Sequence, residues 1–186
     1  MLDENTLWLL SFYRTSEISG SLFFGRLART VRDARIQHDL SRHYADEAQH
    51  AWYWTDCLTR LDSKPLTLDA AYQDRYLEAA GIPANLMEIL ALTQVFERRV
   101  IRQYAIHGRA PALHPAIGET LDRIMRDEKW HIRWVRDALG RMAQEYSADA
   151  VNGALKRYMD ADAEVYRATL AEHADRVQHL LDHQRS

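Results

Sequence analysis

Apolar residues recur every three to four positions along most of the chain, the period of an amphipathic helix, and four long stretches carry it. The first covers residues 3–32, with Leu7, Leu10, Tyr13 or Arg14, Glu17, Ser21 and Phe24 at helical spacing. Asp33 then suits an N-cap or turn. The second stretch runs to about residue 61, with Ile36, Leu40, Tyr44, Glu47, His50, Trp54 and Leu58 along one side. A third is predicted over 83–108, between a proline suited to a first turn and a glycine suited to a C-terminal stop. Leu86, Leu90, Gln94, Glu97, Ile101 and Tyr104 form its inner face. The fourth covers 116–146 and turns Leu121, Ile124, Glu128, His131, Val135 and Leu139 inward.

Between the second and third stretches the rhythm fails. Residues 62–82 hold Asp62, Ser63, Pro65 and Gly81, with one short helical piece expected over 69–80. The other two connections are short, so the middle one is expected to be a long crossover. A fifth helix is expected over 149–183, with a patchy stripe of Leu155, Met159, Val165 or Tyr166, Leu170, Val177 and Leu181. The pattern leaves open whether it packs along the bundle or joins a partner subunit.

Composition narrows the class. A chain of 186 residues, 47% hydrophobic and 27% charged, fits one globular all-α domain over 1–186, with a bundle over about 3–146. The formal charge of −3 gives no general reason to expect nucleic acid. The single cysteine, Cys57, allows no internal disulfide and is expected to be a small buried hydrophobe. No membrane span and no cleavable signal are evident, and a cytoplasmic protein is expected.

The chemistry lies in charged residues on the apolar stripes. Glu47 and His50 form E-x-x-H, as do Glu128 and His131, and each Glu follows an aspartate, Asp46 or Asp127. Residues three apart on a helix share a face, so each pair can offer a carboxylate and an imidazole to one metal ion. Glu17 and Glu97 precede these motifs by about one helix, so the two halves read as a degenerate repeat. Four carboxylates in faces that must be buried would cost several kcal/mol each and repel one another. Two divalent cations would neutralise them.

This arrangement resembles the ferritin-like di-iron carboxylate proteins, the superfamily of rubrerythrin, bacterioferritin and small di-iron hydroxylases. In that fold two helices give one Glu each and two give E-x-x-H, in a four-helix bundle with one long crossover. The resemblance makes Glu17, Glu47, His50, Glu97, Glu128 and His131 the ligands of two iron ions, with Glu47 and Glu128 bridging. Manganese or a mixed pair also suits such ligands. It implies an oxidoreductase that activates O2 or peroxide to oxidise or hydroxylate a small substrate. The alternative is an iron-binding ferroxidase without an organic substrate. The rubredoxin cysteines of rubrerythrins are absent, their extra glutamate is replaced by Val100, and the haem methionine of bacterioferritin is replaced by Ala48. Those departures favour the small hydroxylases and oxidases, and with them a homo-oligomer, a dimer rather than a shell.

Asp46 is expected to reach His131, and Asp127 to reach His50, fixing each imidazole through its second nitrogen. The helices that give one ligand each should leave the open face, with a pocket formed by Tyr13, Gly20, Phe24, Gln94 and Tyr104. Gly20 reads equally well as a close helix contact. Trp52, Trp54, Trp130 and Trp134 read as packing residues. Arg98, Arg99 and Arg102, and the ridge Arg126, Lys129, Arg133 and Arg136, read as solvated faces with an anionic substrate or redox partner as the second option. His179 and His183 read as solvent-facing.

Overall fold

The computed structural model describes residues 2–69, 71–72 and 74–177. Among these the chain is helical, with no strand: α1 (Glu4–Ala28), α2 (Ala34–Arg60), α3 (Asp74–Ala80), α4 (Leu86–His107), α5 (Pro115–Tyr146) and α6 (Ala148–Glu172). No helix among them is long and apolar enough to cross a membrane.

Local chemistry sets the ends. Asp3 caps α1 by accepting from the Thr6 N–H at 2.9 Å, and Asp33 caps α2 through Arg35 and Ile36. The α4 start is later than Pro83 suggests. Asn85 accepts from the Glu88 N–H at 3.0 Å while Glu88 accepts from the Ala84 N–H at 2.8 Å, so the reciprocal cap outcompetes the proline. Pro115 opens α5 behind the N-cap His114. The continuous helix expected over 149–183 is broken. It ends at Glu172, His173 turns its ring onto Trp8 at 4.4 Å between centroids, and helix resumes over 174–177. Leu181, His179 and His183 lie outside the described residues.

Helix α1 packs on α2, α2 on α5, and α5 on α4. Residue 46 of α2 meets 131 of α5 and residue 50 meets 127, so these two helices run antiparallel. The start of α4 (Met87, Leu90) shares a cluster with the end of α5 (Ala138, Leu139), and its end (Tyr104) with the start of α5 (Ile117, Leu121), so α4 runs antiparallel to α5 and parallel to α2, and the connection 61–85 must return along the length of the bundle. Helix α6 covers α4, α5 and α3. It packs on its own bundle.

The core of the bundle falls into two apolar ends, with a smaller cluster of Tyr72, Tyr76 and Val165 against α6. Phe24, Leu40, Leu90, Val95, Val135 and Tyr158 belong to one, and Leu10, Tyr13, Trp54, Tyr104, Leu121 and Ile124 to the other. Along each of α1, α2, α4 and α5 a polar segment separates them. Two facing expectations on α2 change. Tyr44 is 43% exposed and lays its ring against Gly25 of α1, where an added Cβ would lie 3.1 Å from it. The inward position belongs to His43. Trp52 is 56% exposed rather than packed, whereas Cys57 is fully buried as expected.

Candidate metal centre

The polar segments of the four helices meet in one slab, sealed by apolar residues above and below. Glu17 comes from α1, Glu47 and His50 from α2, Glu97 from α4, and Glu128 and His131 from α5; all six are buried. Each carboxylate sits at a position the helical period turns inward, so the backbone forces the charges together. Two sets of donor atoms each lie within 4.8 Å of one another: Glu17, Glu47, His50 and Glu128, and His43, Glu47, Glu97 and His131. Glu47 belongs to both.

Glu128 also spans the two halves. Its Oε1 lies 3.4 Å from His50 Nδ1 and its Oε2 lies 3.3 Å from His131 Nδ1. His50 Nδ1 is 3.6 Å from Glu17 Oε2, and His131 Nδ1 is 3.6 Å from Glu47 Oε1. The far nitrogens face outward. His50 Nε2 lies 3.3 Å from Asp127 Oδ2 and His131 Nε2 lies 3.3 Å from Asp46 Oδ2. A carboxylate only accepts, so each Nε2 carries its proton, and each Nδ1 faces the glutamates, as an N–H donor while the ring is charged and as a lone pair once that proton is displaced.

His43 was not legible as a site residue, although it stands four residues before Glu47. Its ring is stacked between Phe24 and His131, at 3.9 and 3.7 Å between centroids. The Trp134 indole N–H donates to His43 Nδ1 at 3.2 Å. A neutral ring that accepts at Nδ1 carries its proton on Nε2, which lies 3.2 Å from Glu47 Oε1 and 3.1 Å from Glu97 Oε1. His43 therefore faces the carboxylates through a protonated Nε2, whereas His50 and His131 face them through Nδ1, the nitrogen left free to bind an ion once its proton is gone.

Among themselves the side chains balance charge with protons. Burial, followed by the neighbouring glutamates, holds Glu47 and Glu97 well above the usual carboxylate range. Burial also pushes Glu128 up, but the charge and hydrogen bond of His131 outweigh it and hold Glu128 well below. Burial would lower His50, yet its bond to Asp127 and the closeness of Glu128 and Glu17 raise it well above normal. For His131, burial is likewise outweighed by Glu128 and Asp46, leaving a value of about 9. His43 is held well below its usual value by burial and then by the charge of His131.

The donor set suits a pair of cations. Four carboxylates offset two divalent ions, two Nδ1 atoms complete the set, and His50 Nδ1 and Glu97 Oε1 are buried without a hydrogen-bond partner. Buried groups of Glu and His here can hold a metal ion.

Beside the slab, α1 and α4 stay apart, with no pair of their Cα atoms within 8 Å. A cavity of about 80 Å³ occupies the gap, roofed by α6. Trp8, Phe12, Phe96 and Leu170 wall it, and Glu17 and Tyr104 belong to both cavity and slab. The Tyr104 hydroxyl donates to Glu17 Oε1 and accepts from the Trp54 N–H at 3.3 Å. Burial and the Glu17 charge hold its phenol well above the normal range. Tyr13 lines the same cavity. Gly20, Phe24 and Gln94, expected in the same pocket, are not among its lining residues: Gly20 is buried on α1, Phe24 packs on His43, and Gln94 faces a different cleft. The helical period carries Phe24 past the gap into the opposite apolar end.

Comparison with family models, with curated proteins and with solved structures found no match to this chain.

Proposed function

We propose that the protein is a ferritin-like di-metal oxidoreductase, with two iron ions, or manganese or a mixed pair, that oxidises or hydroxylates a small substrate. The observation that carries this reading is the meeting of four buried carboxylates from four helices with two imidazoles whose far nitrogens are tied to aspartates. Glu17, Glu47, His50, Glu97, Glu128 and His131 would hold the ions. Iron in such a site supplies electrons to dioxygen or peroxide.

The remaining steps belong to the side chains. Asp46 and Asp127 keep the Nε2 protons of His131 and His50 in place, so the proton that an ion displaces is the one on Nδ1, facing the carboxylates. His43 steadies Glu47 with its Nε2 proton and keeps that N–H close to Glu97. The apolar ends exclude water from the slab. Tyr104 keeps a proton on its hydroxyl against Glu17 Oε1, at the face the cavity reaches. That cavity, walled by aromatic and aliphatic side chains, supports entry of a small apolar molecule between α1 and α4. Its apolar lining, rather than its volume, favours an organic substrate over iron handling alone.

The test loads the protein anaerobically with Fe(II), pulses O2, and follows oxygen uptake with and without small apolar compounds, alongside gel filtration. The reading predicts uptake that turns over only with an organic compound, from a particle of dimer size. Oxidation of excess Fe(II) into a mineral core, indifferent to every compound added, would replace it with the iron-handling reading.

A further inference from the structure

On the far side of α4 from that cavity, α4, α5 and α6 enclose a second cleft, of about 500 Å³. Pockets of 300–1,000 Å³ are the usual size for small-molecule sites. Gln94, Arg98 and Arg102 stand four residues apart on α4, so one face of the helix carries all three into the cleft. Arg136 joins them from α5. Arg98 and Arg102 make no ion pair among the described residues, and the partner of Arg136 is its own neighbour Asp137, at 2.9 Å. Asp162 is the single carboxylate lining the cleft. Its charge is taken by Arg99, which holds it with two nitrogens, and by the hydroxyls of Tyr72 and Tyr76. The cleft therefore has a net positive wall.

Its floor is apolar, built from Val95, Leu139, Val151 and Leu155. Within that floor lies one polar group. The Gln94 side chain is 2% exposed, and both its amide oxygen and nitrogen lack a hydrogen-bond partner. A buried amide without partners costs free energy that a ligand atom at that point would recover.

We propose that this cleft binds an organic anion: an oxyanion head, carboxylate or phosphate, against Arg98, Arg102 and Arg136, and an apolar body over Val95, Leu139 and Leu155, with a polar atom of the ligand meeting the Gln94 amide. Arginine forks match the planar oxygens of such heads, and the charge-assisted bonds are among the stronger ones available. The site is independent of the oxidoreductase reading, because none of its determinants is a candidate metal ligand.

Calorimetry with the full-length, metal-loaded protein separates the components, using octanoate, octyl phosphate, octanol and inorganic phosphate as probes. The two amphipathic anions are expected to bind one per chain and to weaken with added salt, and octanol and inorganic phosphate to bind at least about tenfold more weakly. Arg98→Ala/Arg102→Ala should weaken the anions by about tenfold or more. Gly140→Phe supplies a second variant. Gly140 lines the cleft on α5 and an added Cβ meets nothing within 4 Å, so the ring can enter the cleft without disturbing the backbone. That variant should fold as the parent does and lose the anions. No binding by any probe, equal binding of octanol, or anion binding undiminished in both variants, as a carboxylate held by metal would give, overturns the proposal.

Discussion

The seam between α2 and α5 and the gap between α1 and α4 face the same slab of glutamates from opposite sides, and they are built in opposite ways. The seam supplies Glu47, His50, Glu128 and His131, and crosses itself twice with the His50–Asp127 and His131–Asp46 bonds at 3.3 Å. The gap supplies one glutamate from each helix, keeps its backbones more than 8 Å apart, and holds a cavity. One side fixes donor atoms in advance, and the other leaves room beside them. A site that must both hold ions tightly and admit a substrate needs this asymmetry, because donors locked on every side would leave no open position.

The largest expected difference between the two sides is in metal retention. Glu47→Ala/Glu128→Ala removes both residues that reach across the halves of the slab, and elemental analysis after Fe(II) loading should find no bound iron. On the gap side, Leu170→Trp fills the cavity wall, and the same analysis should find the parent's metal content while substrate-dependent oxygen uptake falls. If Leu170→Trp empties the site too, the two sides are not separable.

Asp46→Asn and Asp127→Asn probe how much the crossed bonds contribute. Each should lower Fe(II) affinity by about 10–100-fold in a competition titration with a chelator, without unfolding the protein. An affinity within error of the parent for both would remove the seam's claim to be preorganised.

Protons and metal compete for the same Nδ1 atoms, so affinity depends on pH. His131 titrates at about 9, against 6.5 for an ordinary histidine, so its proton must leave before the nitrogen can bind an ion. Metal affinity should rise by up to about tenfold per pH unit for each proton displaced, and the His131 share of that rise should flatten above about pH 9. The sign for the metal-free protein is opposite. A pKa raised by folding stabilises the fold fully below about 6.5, and that contribution is lost as pH rises through about 9. Chemical denaturation of metal-free samples should therefore show stability falling over that window while affinity rises. Parallel trends would contradict the assignment.

The smallest difference is between histidines. His50→Gln takes away an Nδ1 lone pair and should lose one ion per chain. His43→Gln keeps an N–H donor toward Glu47 and Glu97, so it should retain both ions, with affinity reduced by less than about tenfold. Loss of an ion from His43→Gln would make His43 a ligand and overturn the tautomer argument drawn from Trp134.

What the sequence made legible was the periodicity. Glu17, Glu47, Glu97 and Glu128 stood out because each interrupts an apolar stripe, and burial of that stripe brings them together whatever the details of packing. His43 was hidden because 43 and 44 both lie near the inner face, and hydrophobicity favours the tyrosine. Tyr44 instead takes the flank over Gly25, a fit that depends on how close α1 comes. The start of α4 was hidden by Pro83, whose preference for a first turn gave way to the Asn85–Glu88 cap. The cavity was partly hidden as well. Tyr13 and Tyr104 follow from the stripes, but Leu170 and His173 come from a roof whose path the patchy pattern of α6 left open. Local periodicity reaches as far as each helix's inward face, and the meeting of helices without a strong stripe is a tertiary matter.

The central claim is that the slab is a two-ion site, and stoichiometry tests it most directly. Anaerobic Fe(II) titration of metal-free protein, followed by removal of free metal and elemental analysis, should plateau at about two ions per chain. A plateau at zero in protein that circular dichroism reports as folded and helical would contradict the account, and a plateau at one would confine binding to half of the slab.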